Sequence, residues 1–366
     1  MRRLCVIDDR EEGKVANLEK KEKKGGAFAN NPVVKAIGTQ KLIALLALVI
    51  LYVVFGAINR SFWSWPTLIN IFEASYYIGL MAIGVTFAIT SDGIDLSIGT
   101  VMMCSALISG SLITKYHVPV VLGLVICIVI GALFGTLNGL MVSYMKLPPF
   151  IATLGSMMLS KGLGSVFTKA QSITWPQSGA DGGWFRNIFK IKIPGTWIEK
   201  VFHVQMGDLL IPTGFLLLIV IAVLAAILLN KTRPGRYIVA LGSNYEATRL
   251  SGVNVAKYRT LAYIISGTLA GLAGLAYAAI YSTILPGGGG GMELDAIAGV
   301  VIGGTSMSGG FGTISGTLIG VFIMSVLKTG LPFIGLQTHY QQIATGIVLV
   351  FAVFVDVWNR NKKKRV

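Results

Sequence analysis

Long apolar runs separated by shorter polar segments dominate this 366-residue chain. The runs occupy 42–58, 67–90, 97–114, 118–143, 150–168, 208–229, 260–282, 294–306, 313–330 and 341–358. A helix needs about 20 residues to cross a bilayer, and most of these runs have that length. The run at 294–306 is short and rich in glycine, which favours a half-length or broken helix. The pattern predicts an all-α polytopic membrane protein with about ten transmembrane helices.

Composition supports a membrane location. Hydrophobic residues make up 54% of the chain, charged residues only 13%, and the mean hydropathy is +0.72. Since a globular domain carries about 25% charged residues, lipid must solvate much of this surface. This excludes a cytosolic enzyme and a disordered protein. The runs are continuous rather than alternating, which also excludes an outer-membrane barrel.

The net charge of +15 is unevenly distributed, and its distribution predicts orientation. Lys and Arg cluster in a basic tail at 1–41, in a loop at 231–259 and in a second tail at 359–366. Basic flanks of short loops stay in the cytoplasm, so both termini and this loop are expected there. An even number of spans between them agrees with ten, and leaves 170–207 as an external loop. The transmembrane domain is therefore 42–358.

Three smaller expectations concern the loop and the tails. We expect the first tail to be partly disordered, with a short helix near 14–24. In the external loop, Trp175, Trp184 and Trp197 favour a re-entrant or interfacial helix within an aromatic belt. A basic groove for nucleic acid would need a soluble face, and none is visible.

A weak internal repeat suggests two related halves. The segment Gly93-Ile94-Asp95-Leu96-Ser97 precedes the third run, and Gly291-Met292-Glu293-Leu294-Asp295 precedes the eighth. The stretch at 135–139 in the fourth run resembles 316–320 in the ninth. Both pairs lie five runs apart, and five is odd. The repeat therefore predicts two inverted five-helix halves, an architecture found in transporters.

Acidic turns and one amide lie between or within the apolar runs. The candidate pathway or gate residues are Asp92, Asp95, Ser97, Asn138, Glu293 and Asp295. Carboxylates facing lipid are costly, so a helix break that lines a polar pathway is one interpretation. The other is helix capping, with Ser91 or Asp92 as an N-cap and Asp95 as a capping-box acid. The five glycines at 287–291 indicate a hinge or irregular backbone before the second acidic turn.

Two stripes of glycine at four-residue spacing predict close helix packing. They comprise Gly131, Gly135 and Gly139, and then Gly312, Gly316 and Gly320. Small residues at this spacing let helix backbones approach closely in lipid. Asn138 lies within the first stripe and either bonds a neighbouring helix or lines a pathway. Cys104 and Cys127 lie in apolar runs and are expected in the core.

The basic loop at 231–259 contains signals for a two-turn helix. Ser243 or Asn244 is a suitable N-cap, and Gly252 a suitable C-terminal stop. Glu246 in the first turn and Arg249 in the last turn both complement the helix dipole. Because a helix this short is unstable alone, it must dock on the membrane domain or on a partner.

Several motifs in this order resemble one transporter family. Glu246-Ala247-Thr248 followed by Gly252 resembles the EAA loop of ABC importer permeases, with Thr248 replacing the second alanine. The stretches 235–253, 93–99 and 293–306 resemble the monosaccharide branch, that of ribose-, galactose- and xylose-type permeases. The resemblance covers roughly 70–358. It implies a permease subunit that moves a monosaccharide or similar small polar solute by alternating access.

The resemblance also implies partners and site residues. The ATPase-coupling residues would be Gly235, Arg236, Gly242, Asn244, Glu246, Ala247, Arg249 and Gly252. The implied partners are a second permease copy in a homodimer, a cytoplasmic ABC ATPase that holds ATP and Mg, and an external solute-binding protein. The implied location is the bacterial cytoplasmic membrane, as a multi-pass protein in the lipid bilayer.

Absent motifs limit the alternatives. The chain has no G-x-x-x-x-G-K-[ST] loop to hold ATP, no H-E-x-x-H zinc motif and no G-x-S-x-G nucleophile motif. We therefore expect no catalytic residue, no metal and no enzymatic activity. An ion-coupled secondary transporter needs ionisable groups deep in the membrane, and we expect only Glu73 and the acidic turns to supply them. Nucleoside, inositol and autoinducer-type solutes remain open within the same family.

Overall fold

The computed structural model of the chain describes residues 39–194 and 208–363. The helices are α1 Thr39–Ile58, α2 Trp65–Thr90, α3 Ile98–Tyr116, α4 Val120–Ser143, α5 Pro149–Phe167, α6 Gly214–Lys231, α7 Arg233–Ser243, α8 Tyr245–Leu250, α9 Val255–Tyr281, α10 Met292–Ile302, α11 Ile314–Phe333 and α12 Thr338–Lys363. Short 3₁₀ helices cover Arg60–Trp63 and Gly183–Ile188. The short strands are β1 Ile173–Thr174, β2 Ile191–Ile193, β3 Leu209–Ile211 and β4 Thr283–Ile284; β1 pairs antiparallel with β4, and β2 with β3. Over the described residues the protein is all-α apart from these two ribbons.

The predicted spans correspond to helices. Within the described ranges, eight helices are long and apolar enough to cross a membrane, namely α1 to α6, α9 and α11. Helix α10 has 11 residues, or about 16 Å at 1.5 Å per residue, roughly half of a hydrocarbon core. This agrees with a half-length helix in the eighth run. Helix α12 covers the last run. The count of ten crossings and the side of each terminus stay predictions.

Helices α2 and α9 form the centre of the protein. Every residue of α2 from Ala74 to Thr90 is buried, as expected for a helix that is hydrophobic all round. Gly84 packs against Ser266, and the ring of Tyr77 lies 5.3 Å from that of Tyr277. Residue numbers therefore rise along α2 while they fall along α9, so the two helices are antiparallel.

The remaining helices are arranged around this pair in a way that agrees with an inverted repeat. Helix α4 packs along α9, and α11 packs along α2. Helix α3 packs on α4, α5 and α9, while α10 packs on α11, α12 and α2. The repeat pairs α2 with α9, α3 with α10, α4 with α11 and α5 with α12. When each helix is replaced by its partner in this scheme, the contacts of α3 and α4 become those of α10 and α11. Helices α1 and α6 depart from this exchange, since α1 packs on α11 and α6 on α2.

The first glycine stripe lies against α9. A Cβ atom at Gly131 would lie 2.2 Å from the carbonyl oxygen of Gly267, and one at Gly135 would lie 3.1 Å from the Cα of Gly267. Gly139 packs on Thr260 one turn further along. The backbones of α4 and α9 are therefore in direct contact, and only small residues fit between them.

The second stripe has a different partner and one wrong member. Gly316 and Gly320 of α11 lie against Gly303 and Gly299, which belong to α10 and its C-cap. Gly312 precedes α11 and is not part of the helix. A four-residue spacing cannot show where a helix begins, so the prediction wrongly included Gly312 in the stripe.

The segment between α5 and α6 packs on the membrane helices. Trp175 is buried and its Nε1 donates to the carbonyl of Ala106 at 3.1 Å. Arg186 donates to the carbonyls of Ala279 (2.6 Å) and Pro176 (2.7 Å). The described part contains a 3₁₀ helix and strands but no α-helix, so the expected interfacial α-helix is absent from it. Trp197 and the expected helix near 14–24 lie outside the described residues.

Candidate transport pathway and coupling site

The chain between α2 and α3 is irregular over residues 91–97. The backbone N–H of Ser91 donates to the carbonyls of Phe87 and Ala88, and its Oγ donates to Ala88 at 2.8 Å. Ser91 therefore ends α2, and Asp92 follows with φ of 60°. The prediction that Ser91 or Asp92 is an N-cap was wrong, because the next helix begins only at Ile98.

The Asp95 carboxylate is the polar centre of this break. It is fully buried and accepts from Ser97 N (3.1 Å), Ser97 Oγ (2.7 Å), Ser266 Oγ (2.8 Å) and Asn138 Nδ2 (3.3 Å). Ser266 lies near the middle of the 27-residue α9, which places the carboxylate deep in the helix bundle. Four donors make a buried carboxylate tolerable, because an unpaired one would be strongly penalised.

These bonds join three elements. Asp95 accepts from the N–H of Ser97, the N-cap residue of α3, but it lies before the helix, so the prediction that it is a capping-box acid in a first turn was wrong. Asn138 of α4 also donates to Ser97 Oγ at 2.9 Å. Of its two predicted roles, bonding to a neighbouring element is the one seen here.

A second break precedes α10 and lies on the start of α3. Gly287, Gly289 and Gly291 have φ between 74° and 92°, a region that favours glycine. Glu293 Oε1 accepts from Gly291 N at 2.9 Å, which caps α10. Among the described residues its buried Oε2 has no hydrogen-bond partner. That oxygen lies against Gly99 of α3, where a Cβ would approach it to 2.6 Å. The two helix starts therefore meet inside the protein.

Asp295 forms a partly buried ion pair that the sequence analysis missed. Its Oδ2 accepts from Lys328 Nζ of α11 at 2.7 Å, and its Oδ1 accepts from Thr345 Oγ1 of α12 at 3.3 Å. The expectation that only Glu73 and the acidic turns place ionisable groups deep in the membrane was therefore wrong. The signal was a lysine inside the apolar run 313–330, and its partner lies 33 residues away.

The basic loop folds into α7 and α8. Asn244 Oδ1 accepts from Ala247 N at 3.0 Å and so caps α8, and Gly252 has φ of 80°. The two-turn helix is thus present with its predicted start and stop. The Glu246–Arg249 ion pair spans 2.8 Å but is more than half exposed on both sides, so it contributes at most about 1 kcal/mol. Docking, rather than this pair, must hold α8 in place.

Helix α7 docks on the ends of the central helices. A Cβ at Gly242 would lie 1.9 Å from the carbonyl oxygen of Thr90, the last residue of α2. The same carbonyl accepts from Gly310 N at 2.9 Å. At the start of α9, Arg259 Nη2 donates to the carbonyl of Asp92 at 2.8 Å. A displacement of α7 would therefore move the end of α2 and the loop before α11.

The opposite side of this helical pair is open. Thr248 is buried and Gly235 packs on the carbonyls of Leu228 and Leu229 of α6. The exposed side chains are those of Arg233, Arg236, Ser243, Asn244, Tyr245, Glu246, Ala247, Arg249 and Leu250. Leu250 is 79% exposed. The predicted coupling residues thus divide into Gly235 and Gly242, which pack inward, and exposed residues that face outward, Gly252 among them.

The helices, the two breaks and the α7–α8 pair together define a class of protein. Membrane-length helices surround two helix breaks with buried polar groups, and a docked pair of short helices lies at one end. This is the organisation of a polytopic transporter. Within the described residues no group of three or more His, Cys, Asp or Glu could hold a metal ion.

Comparison with known proteins identifies the family. Residues 67–353 match the family described as "Branched-chain amino acid transport system / permease component". The chain belongs to this family of ABC importer permeases. No solved structure matches the chain.

Its relatives include sugar permeases. The ribose import permease protein RbsC of Escherichia coli is 36% identical over 88% of this chain and 94% of its own. The fructose import permease protein FrcC of Rhizobium meliloti is 31% identical over 87% of this chain and 85% of its own. The galactose/methyl galactoside import permease protein MglC of Salmonella typhimurium is 32% identical over 88% and 94%.

Family membership settles several expectations. Such permeases are transport proteins without enzymatic activity of their own, and they work with an ATPase and a solute-binding protein. The chain is a multi-pass protein of the bacterial inner membrane.

Proposed function

We propose that this chain is the permease subunit of an ATP-driven monosaccharide importer. The observation that carries the proposal is that ribose, fructose and galactose permeases align with it over 85% or more of their own lengths. Such coverage includes both helix breaks and the α7–α8 pair. The capped α8 with an exposed outer face supports the same conclusion.

Two copies of the chain would form the pathway, with an external binding protein delivering the sugar. The partner ATPase would hold ATP and Mg in the cytoplasm. The segments 1–41, 231–259 and 359–366 would lie on that side, since they carry the basic clusters. ATPase closure would press on the exposed side of α7 and α8, whose coupling residues are named above.

The contacts of α7 suggest how this movement reaches the pathway. Gly242 meets the end of α2, and Arg259 at the start of α9 holds the backbone of Asp92. Both helices lead to the Asp95 carboxylate, since α9 also carries Ser266. A shift of α7 would move α2 and α9 relative to one another at the break. Asp92, Asp95, Ser97, Asn138, Glu293 and Asp295 are the residues at which the pathway would open or close.

The relatives do not favour the alternatives. An ion-coupled carrier is not favoured, because the family and the sugar permeases that align with the chain are import permeases. Nucleosides, inositol and autoinducer-type solutes remain as outcomes of a solute panel.

The test is uptake by intact cells that lack their own sugar permeases. The chain is expressed with its partner ATPase and binding protein, and cells receive radiolabelled D-ribose, D-fructose, D-galactose, uridine or myo-inositol. We expect accumulation of one of the three sugars only when all three proteins are present. Accumulation of uridine or inositol alone would contradict the proposal. Native mass spectrometry of the purified complex should show two permease copies.

A further inference from the structure

Three tyrosines and an ion pair from four helices converge in the protein. Tyr77 of α2 lies 5.3 Å from Tyr277 and 6.1 Å from Tyr281 of α9, measured between ring centroids. Tyr277 and Tyr281 are 4.4 Å apart. Lys328 Nζ of α11 lies 5.7 Å from the Tyr77 ring centre while it donates to Asp295 of α10. We call these five residues the tyrosine–lysine cluster.

The cluster lies beside the middle of α2, where α9 ends and α10 begins, and it is open on one side. Tyr77 is near the middle of the 26-residue α2 and is buried. The Lys328 side chain, in contrast, is 29% exposed and Tyr281 is 47% exposed. A lysine ammonium facing hydrocarbon is strongly disfavoured, and ionisable residues in membrane spans face the protein interior or water. We therefore expect the open side of the cluster to face water rather than lipid.

The chemistry of the cluster fits a polyhydroxylated ring. Small-molecule sites combine aromatic walls with a few polar groups that fix orientation. Tyrosine faces can cover the C–H face of a sugar, while the Lys328 ammonium donates to its hydroxyls and the Asp295 carboxylate accepts from them. An ion pair whose only role was to hold α10 against α11 would require neither the neighbouring tyrosines nor an exposed side.

We propose that the tyrosine–lysine cluster contacts the monosaccharide during translocation. This inference rests on the proposed function, since it names where in this chain the sugar is held. The site lies between the two halves of the repeat, because α2 belongs to the first half while α9, α10 and α11 belong to the second. Transporters commonly place their solute sites at such an interface.

A labelling experiment tests whether the cluster faces water. Tyr281→Cys is introduced into a Cys5→Ser background of the full chain, in which Cys104 and Cys127 are buried. A membrane-impermeant methanethiosulfonate reagent should modify it in intact cells, and transport of the sugar should slow the modification. The matched control is Val129→Cys, which is equally exposed but lies on the apolar face of α4 and should stay unmodified. An unmodified Tyr281→Cys would overturn the proposal.

A transport experiment tests the contact itself. In proteoliposomes containing the whole complex, Tyr277→Phe and Tyr281→Ala should raise the KM for the sugar or lower uptake by roughly tenfold, the scale of one lost pocket contact. Membrane abundance and ATPase stimulation by the sugar-loaded binding protein should stay at wild-type values. Tyr116→Ala, at a tyrosine outside the cluster that is 65% exposed against 47% for Tyr281, is the control.

The ion pair needs a variant that keeps the chain folded. Lys328→Met leaves Asp295 unpaired, so the exchanged variant Asp295→Lys with Lys328→Asp is compared with it. If the Asp295–Lys328 ion pair only holds the helices together, the exchanged variant transports normally. Normal uptake by Tyr277→Phe and Tyr281→Ala as well would refute the contact site. If instead the proposed function is wrong, the wild-type complex transports no sugar, although Tyr281→Cys is still modified.

Discussion

The Asp95 carboxylate offers the sharpest test of how the helix break is held together. We compare Asp95→Asn with Asp95→Leu. Asparagine keeps a carbonyl oxygen for Ser97, and its amide can donate to Ser266 Oγ, which can accept as well as donate. We therefore expect Asp95→Asn to lose no more than about 1 kcal/mol.

Leucine removes all four accepted bonds. The backbone N–H of Ser97 then has no acceptor, which costs about 1–3 kcal/mol. Ser266 can turn to a carbonyl of its own helix, and Asn138 still donates to Ser97 Oγ at 2.9 Å, so each loses only part of its bonding. The total for Asp95→Leu is about 2–5 kcal/mol of folding stability.

Thermal stability of the purified chain in detergent, followed by gel filtration, measures the difference. Asp95→Leu should lower the apparent Tm by at least about 5 °C, while Asp95→Asn should stay near wild type. Asp181→Leu, at an exposed acid in the loop before α6, is the control and should change little. If the leucine variant is as stable as wild type, the carboxylate does not join the three elements. If asparagine is as harmful as leucine, the charge matters rather than the bonding pattern.

Three further predictions concern the cytoplasmic side and coupling. Ser243→Cys should resist impermeant thiol reagents in intact cells and react in inverted vesicles; labelling from outside would refute the orientation. Gly242→Ala should clash with the end of α2 at a cost of about 1–3 kcal/mol and reduce uptake, whereas Gly155→Ala, which has open space, should transport normally. Gly252→Val adds strain of about 1–2 kcal/mol at a positive φ. Both Gly252→Val and Glu246→Lys should insert normally but lose uptake and lose ATPase stimulation by the loaded binding protein. Wild-type transport by both variants would exclude this loop as the coupling element.

Local signals in the sequence predicted the elements well. The α8 helix appeared between Asn244 and Gly252 because a cap and a glycine stop are determined by neighbouring residues. The short α10 followed from the glycine-rich eighth run. The acidic turn was recognised as polar, but its capping was assigned wrongly, because Ser91 ends α2 and Asp95 lies before α3 rather than in its first turn.

Contacts between distant elements could not be predicted in the same way. The Lys328–Asp295 pair depends on how α10 packs against α11, and the meeting of Gly99 with Glu293 depends on how the two breaks approach each other. The tyrosine–lysine cluster draws on four helices. No single segment carries a signal for such a site, since its residues are individually ordinary.

The most direct test of the account is sugar accumulation in proteoliposomes that contain the permease, its ATPase and its binding protein. Radiolabelled sugar is measured with ATP, with a non-hydrolysable ATP analogue, and with ATP plus a proton ionophore. An ATP-driven permease predicts accumulation above the supplied concentration with ATP, none with the analogue, and no effect of the ionophore. Accumulation that continues with the analogue but collapses with the ionophore would show an ion-coupled carrier and contradict the account.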